Sequence, residues 1–232
     1  MSSDMLDLYL GRGLRLYRTH KYEQAAITFQ KVLKHTTAND NPKGIIYALL
    51  ALGDCNFYLL HIEEAMTNFE RARTITKQIK DKNTQALSQV NLGKCLLLKG
   101  GHSTQARYLL MEAIQIFDEL EDDLGLLYAY SISGALEVIQ GNREAAKEYF
   151  ERGLIQAQLV GKKQLQDYFN RRLKEKRGEE IPFPYIYYHP YPMGPPAASA
   201  EDILKRIPCP SCQEIVPDGT KICPFCGYRF VE

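Results

Sequence analysis

The stretch "ALGDCNFYLLHIEEAMTNFERA", residues 51–72, decides how the rest of the chain is read. It reads as two amphipathic helical segments separated by "LLHIE", and its residue types return elsewhere at fixed distances. Shifting the chain against itself by 40 or 41 residues aligns Ala25, Ala65, Ala106 and Ala146. Four positions further on stand Phe29, Phe69, Leu110 and Phe150, and seven positions after the alanines stand Val32, Ala72, Ala113 and Gly153. Upstream, Gly13, Gly53, Gly93 and Gly134 mark another recurring small position. A small residue lets two helix backbones approach closely, and a Phe or Leu one turn later fills the space between neighbouring pairs. Each repeat is therefore expected to be a helix pair, with turns at "RTHKY", "LLHIE", "KGGHS" and "IQGNR".

Helix starts recur with the same period. Asn41, Asp81 and Asp122 are N-cap candidates, Pro42 stands where a first helical turn accepts proline, and Asn142 opens the last second helix. The pattern resembles the tetratricopeptide repeat, whose signature is a small residue and Gly in the first helix followed by Ala, an aromatic and Ala in the second. The third repeat departs from it with Leu110 and one extra turn residue, and the chain has no Trp. The period of about 40 residues is similar to that of the long-helix subclass that includes the kinesin light chain and LGN-type scaffolds. The expected fold is an all-α solenoid of four helix pairs over about residues 4–161, closed by a polar capping helix at 162–177, in a domain spanning 1–178.

Composition narrows the function classes. Lys plus Arg number 29 against 28 Asp plus Glu, so no net field draws the chain to phosphate backbones or anionic lipid. There is no apolar run long enough for a membrane span and no secretory leader pattern, which implies a cytoplasmic protein. Cys55 and Cys95 sit alone within helical patterns and are read as core packing. The five histidines are scattered, and no nucleophile, phosphate-binding loop or open metal site is apparent, so the chain is not read as an enzyme. The basic run "RRLKEKR" (171–177) is read as complementing a helix C-terminus rather than touching nucleic acid.

Helical patterning stops at Gly178. Residues 179–198 form a linker whose core "EEIPFPYIYYHPYPMGPP" holds six prolines and four tyrosines. It favours extended, polyproline-like spacer conformations, yet Phe183, Tyr185, Ile186, Tyr187, Tyr188 and Tyr191 are too apolar for a purely solvated spacer. Residues 199–232 form the last module. "SAEDILKRI" reads as a short capped helix, and Cys209, Cys212, Cys223 and Cys226 follow as C-x2-C-x10-C-x2-C. Between the pairs, "QEIV" and "TKIC" are strand candidates joined by "PDG". The module resembles a zinc ribbon. Four thiolates fill a tetrahedral site, so one structural Zn2+, with iron as the alternative, would stabilise a segment too short to fold unaided.

In the tetratricopeptide family the first helices line a groove that receives an extended peptide or a helix. The resemblance puts Tyr47, Leu50, Asp54 and Phe57 of repeat two there, with Leu87, Val90, Asn91 and Lys94 of repeat three and Tyr128 and Ser131 of repeat four. Asn91 stands where members often use an asparagine amide to hold peptide backbone. The clamp of chaperone-binding members is not matched, because Leu10 and Leu14 occupy its first-repeat Lys and Asn positions. The expected function is a protein-binding adaptor or scaffold with the ribbon as a second contact, no membrane association, and self-association if the groove is uncovered. Two other classes are a ribbon-borne regulator of nucleic-acid transactions and a metal-dependent regulator similar to the lipopolysaccharide-assembly proteins that join tetratricopeptide repeats to a rubredoxin-type domain. The ribbon is slightly acidic, which argues against the first.

Overall fold

The structure, a computed structural model, describes residues 3–174 and two short segments, Arg206–Pro208 and Ile215–Pro217. The chain divides into two compact units, one of residues 9–190 and the other of residues 1–8 with 191–232. Among the described residues there are nine helices: α1 (Ser3–Arg18), α2 (Tyr22–Ala38), α3 (Pro42–Tyr58), α4 (Ile62–Gln78), α5 (Lys82–Lys99), α6 (Ser103–Glu119), α7 (Asp123–Ile139), α8 (Arg143–Leu159) and α9 (Lys163–Lys174). From α2 onwards each helix packs on the next in sequence, and α5 also touches α7. This is the repeat solenoid expected from the 40-residue register. The ninth helix falls within the expected cap; residues 175–177 lie outside the described residues.

The recurrent glycines and large residues are the teeth of this stack. A Cβ added at Gly13 would stand 2.6 Å from the Phe29 ring, and at Gly53 and Gly134 it would collide with Phe69 and Phe150. At Gly93 it would meet Leu110 at 3.0 Å, so Leu110 leaves more room than a phenylalanine does. The second contact row runs from each pair to the next, with Gly44 against Thr36, Gly125 against Phe117 and Gly153 against Phe169. Ala65, Phe69, Ala72, Ala106, Leu110 and Ala113 all lie in the continuous core that these contacts enclose.

First and second helices begin differently. The side chains of Asn41, Asp81 and Asp122 accept hydrogen bonds from the backbone amides of Gly44, Thr84 and Gly125 at 3.0–3.1 Å, so α3, α5 and α7 are capped as the sequence suggested. Lys21, His61, His102 and Asn142 precede the second helices without a side-chain cap. Asn142 turns back instead and donates to Glu137 Oε2 at 2.8 Å.

A left-handed residue stands at almost every twentieth position: His20, Asp40, Leu60, Lys80, Glu121, Gly141 and Gly161, with φ between 45° and 76°. At Leu60 the amide donates to the Phe57 carbonyl at 3.0 Å, and the next amide, of His61, donates to Asn56 at 2.9 Å. His20, Glu121 and Gly141 follow the same pattern, which is the Schellman termination of a helix. The α5–α6 turn departs from it: Gly100 and Gly101, both at positive φ, absorb the extra residue of the third repeat.

In the other unit, β1 (Arg206–Pro208) pairs antiparallel with β2 (Ile215–Pro217), with Ile207 opposite Val216. One expectation is corrected here. Arg206 and Ile207, the end of the expected short helix "SAEDILKRI", are strand, since the residue before Pro208 is steered away from helical backbone. Of the expected strand "QEIV", Ile215 and Val216 are in β2, which pairs with β1; "TKIC", its expected hairpin partner, lies outside the described residues.

Candidate protein-interaction site

Equivalent positions on successive first helices lie side by side, so residues 40 apart can meet. Asp54 on α3 and Lys94 on α5 are such a pair. Lys94 Nζ donates to Asp54 Oδ1 at 3.0 Å, with the two side chains 13% and 29% exposed. The same ammonium lies 4.3 Å from the centroid of the Phe57 ring and 5.9 Å from that of Tyr128 on α7. Tyr128 in turn donates its hydroxyl proton to Asn91 Oδ1 on α5 at 2.8 Å. One lysine thus links the first helices of repeats two, three and four.

Electrostatics follow from burial. Loss of water works against the Lys94 charge, but Asp54 and the hydroxyls of Tyr128 and Tyr58 outweigh it, and the pKa rises above that of an ordinary lysine. The Tyr128 phenol is pushed up to about 12 by burial, against the opposing pull of Lys94. Lys94 stays protonated and Tyr128 neutral at physiological pH. The charge of Lys94 is compensated by Asp54, so the cluster carries no net charge for a partner to answer.

The aromatic surface continues beyond this cluster. The Phe57 ring is 5.6 Å from Tyr58, which stacks on Tyr22 at 4.8 Å with the planes only 10° apart. Tyr17 closes edge-on against both Tyr22 and Tyr58 at 5.4 and 5.8 Å, and His20 Nδ1 lies 2.7 Å from the Tyr22 hydroxyl. Tyr58 is 45% exposed. Tyr17, His20, Tyr22 and Tyr58 were not among the expected site residues. Tyr17 had a signal, since it is the repeat-one counterpart of Phe57, 40 residues earlier. Tyr22 stands among turn residues, where helical periodicity says nothing.

Of the ten residues expected in a groove, Asp54, Phe57, Asn91, Lys94 and Tyr128 come together as described. Tyr47, Leu50, Leu87, Val90 and Ser131 are buried, and so is Asn91, which accepts the Tyr128 hydrogen bond. Leu50, Leu87 and Val90 belong to the main core, Tyr47 packs edge-on against Phe29, and Ser131 donates to the Tyr128 carbonyl of its own helix. Seventeen- and eighteen-residue helices lie against two neighbours along most of their length, and that contact covers positions which the groove expectation left open. Cys55 and Cys95 are fully buried, as read from the sequence, and burial raises both thiol pKa values, that of Cys95 to about 12. Within "RRLKEKR", Arg172 packs over the Phe150 ring at 4.9 Å and is buried, which takes it out of any basic face.

Elsewhere, Arg107 of α6 grips the buried Glu137 of α7 with two hydrogen bonds of 2.8 and 3.0 Å. Burial opposes the Glu137 charge, but Arg107 and Asn142 outweigh it and lower the pKa. Among the described residues no group of three or more His, Cys, Asp or Glu is placed to hold a metal; Cys209, Cys212, Cys223 and Cys226 lie outside them. No described helix is long and apolar enough to cross a membrane.

Solved structures that resemble the chain include two helical proteins. The aspartyl phosphate phosphatase F of Bacillus subtilis matches with a TM-score of 0.66 at 15% identity over 73% of this chain and 44% of its own. The apo form of RapI matches with a TM-score of 0.63 at 17% identity over 77% of this chain and 65% of its own. The likeness is one of fold. It shows that the helical unit shares its helical-repeat fold with these proteins, and the chain spans less than two thirds of either one. Residues 208–232 match the Uncharacterised protein family UPF0547. No curated protein sequence matches the chain.

Proposed function

We propose that the chain is an interaction adaptor whose aromatic face, from Tyr22 at the start of α2 through Phe57 of α3 to Tyr128 of α7, receives an apolar, uncharged protein segment. The observation that carries this reading is the neutral aromatic ledge on which Lys94 is already satisfied by Asp54. Rings with hydroxyl rims give contact area at small entropic cost, the usual chemistry of a protein-binding surface. The helical-repeat fold is consistent with such a role. A photo-crosslinking residue at Tyr58 is expected to capture a partner protein, whereas the same residue at the exposed Tyr108 of α6 is not. Capture from Tyr108 alone would move the binding surface to the second helices and overturn the proposal.

The second contact is a metal-held ribbon. Cys209, Cys212, Cys223 and Cys226 would supply four thiolates to one structural Zn2+, and no ligand position would remain for substrate. Direct pairing of Pro208 with Ile215 supports this, because it draws together the two ends of the six-residue segment that carries Cys209 and Cys212. Native mass spectrometry is expected to show one zinc per chain. Cys223→Ser should abolish it and leave the helical circular dichroism unchanged; loss of helix together with metal would contradict independent modules.

A further inference from the structure

The neutral ledge asks for an occupant without charge that offers prolines and ring faces. We propose that residues 183–190 of this same chain, "FPYIYYHP", are its resting occupant, so that the adaptor covers its own binding face until a partner displaces the segment. The inference rests on the reading of that face as an interaction surface and adds what fills it.

Three observations support it. The first is charge: the segment has no Asp, Glu, Lys or Arg, and the ledge has its single ammonium neutralised by Asp54. The second is shape and chemistry. Proline-rich extended segments dock on aromatic-lined surfaces because their backbone is already ordered, and the stacked Tyr22 and Tyr58 rings beside Phe57 form such a lining. Tyrosine hydroxyls of the segment could reach the Asp54 carboxylate, which keeps part of its surface open beside Lys94. The third is reach. The α9 helix ends at Lys174, and residue 183 follows after about nine residues, or about 30 Å of extended chain at ~3.3 Å each. Stepping back from α9 past α7 and α5 to α3 at about 10 Å per packed helix requires a similar distance.

The chain has no Trp, so Tyr187→Trp in the full-length protein installs a single fluorescent reporter. Docking predicts emission shifted to the blue of the urea-unfolded protein and slower acrylamide quenching, both independent of protein concentration. Phe57→Ala with Tyr58→Ala should return both readings to the unfolded values while helical circular dichroism persists; if that pair loses helix, Tyr58→Leu carries the same test. Tyr185→Trp, run in parallel, guards against a reporter that does not fit. Both reporters reading as solvated overturn the proposal, as does a blue shift that survives loss of the ledge. A shift that grows with concentration assigns the ledge to the segment of a second copy and overturns it too. Capture of a partner from Tyr58 while both tryptophans read as solvated would retain the adaptor and remove only its self-coverage.

Discussion

At the scale of single residues, the ion pair of Asp54 and Lys94 does more positional than energetic work. Two partly buried charges bring little net stability, but removing one strands the other. Lys94→Met is expected to destabilise the helical unit by about 2–3 kcal/mol, less than for a fully buried pair because Asp54 keeps some solvent contact. Asp54→Leu with Lys94→Met should cost less than the sum of the single changes. Urea unfolding of the four proteins in the cycle measures this, and strict additivity would mean that the pair is not coupled. The pair was legible in the sequence only through the repeat, since 54 and 94 are the same position one period apart. Tyr22 and His20 were not legible, because their neighbourhood is created by the turn that returns α2 beneath α3. The buried part of the expected groove was lost for a related reason: periodicity identifies a helix face but not how much of it the next helix covers.

At the scale of elements, helix contact depends on which large residue faces each glycine. Gly53→Ala would drive a methyl group into the Phe69 ring and is expected to cost about 1–3 kcal/mol. Gly93→Ala meets only the Leu110 branch at 3.0 Å, and the gain in helix propensity of about 1 kcal/mol offsets much of the cost. Thermal unfolding should rank the two in that order; equal losses would show that Leu110 is no more accommodating than phenylalanine. In the turns the prediction reverses. Leu60 holds φ at 62° with its side chain 74% exposed, so Leu60→Gly should stabilise by about 1 kcal/mol. These helix boundaries were readable where Asn41, Asp81 and Asp122 cap, because their side-chain chemistry is local. The left-handed residues were not readable, because His, Asp, Leu, Lys and Glu are held there by flanking helices and not by their own preference.

At the scale of the whole molecule, buried acids and bases make the helical unit sensitive to alkali. Cys95 and Tyr128 are each raised to about 12 in the folded chain, and Cys55 and Lys94 are raised as well. The unfolded chain therefore releases these protons first. Stability is fully present below about pH 8.5, where unfolded thiols begin to ionise, and declines as pH rises through the tyrosine and lysine range. Urea midpoints followed by helical circular dichroism should fall from pH 8 to 11, and Cys55→Ala with Cys95→Ala should flatten the first part of that fall. A midpoint that is constant with pH would contradict the burial of these groups. The 40-residue register was visible from the first alignment, but the structure divides it again: helix ends at 20, 40, 60, 80, 121, 141 and 161 share one left-handed corner. The corner is shared by first and second helices alike, yet the unit of construction remains the pair, because first and second helices begin differently and Asp54 on α3 meets Lys94 on α5 across the helix between them. Tandem duplication of residues 42–81, inserted after residue 81, therefore offers a route to a protein with one more helix pair and an otherwise familiar stack.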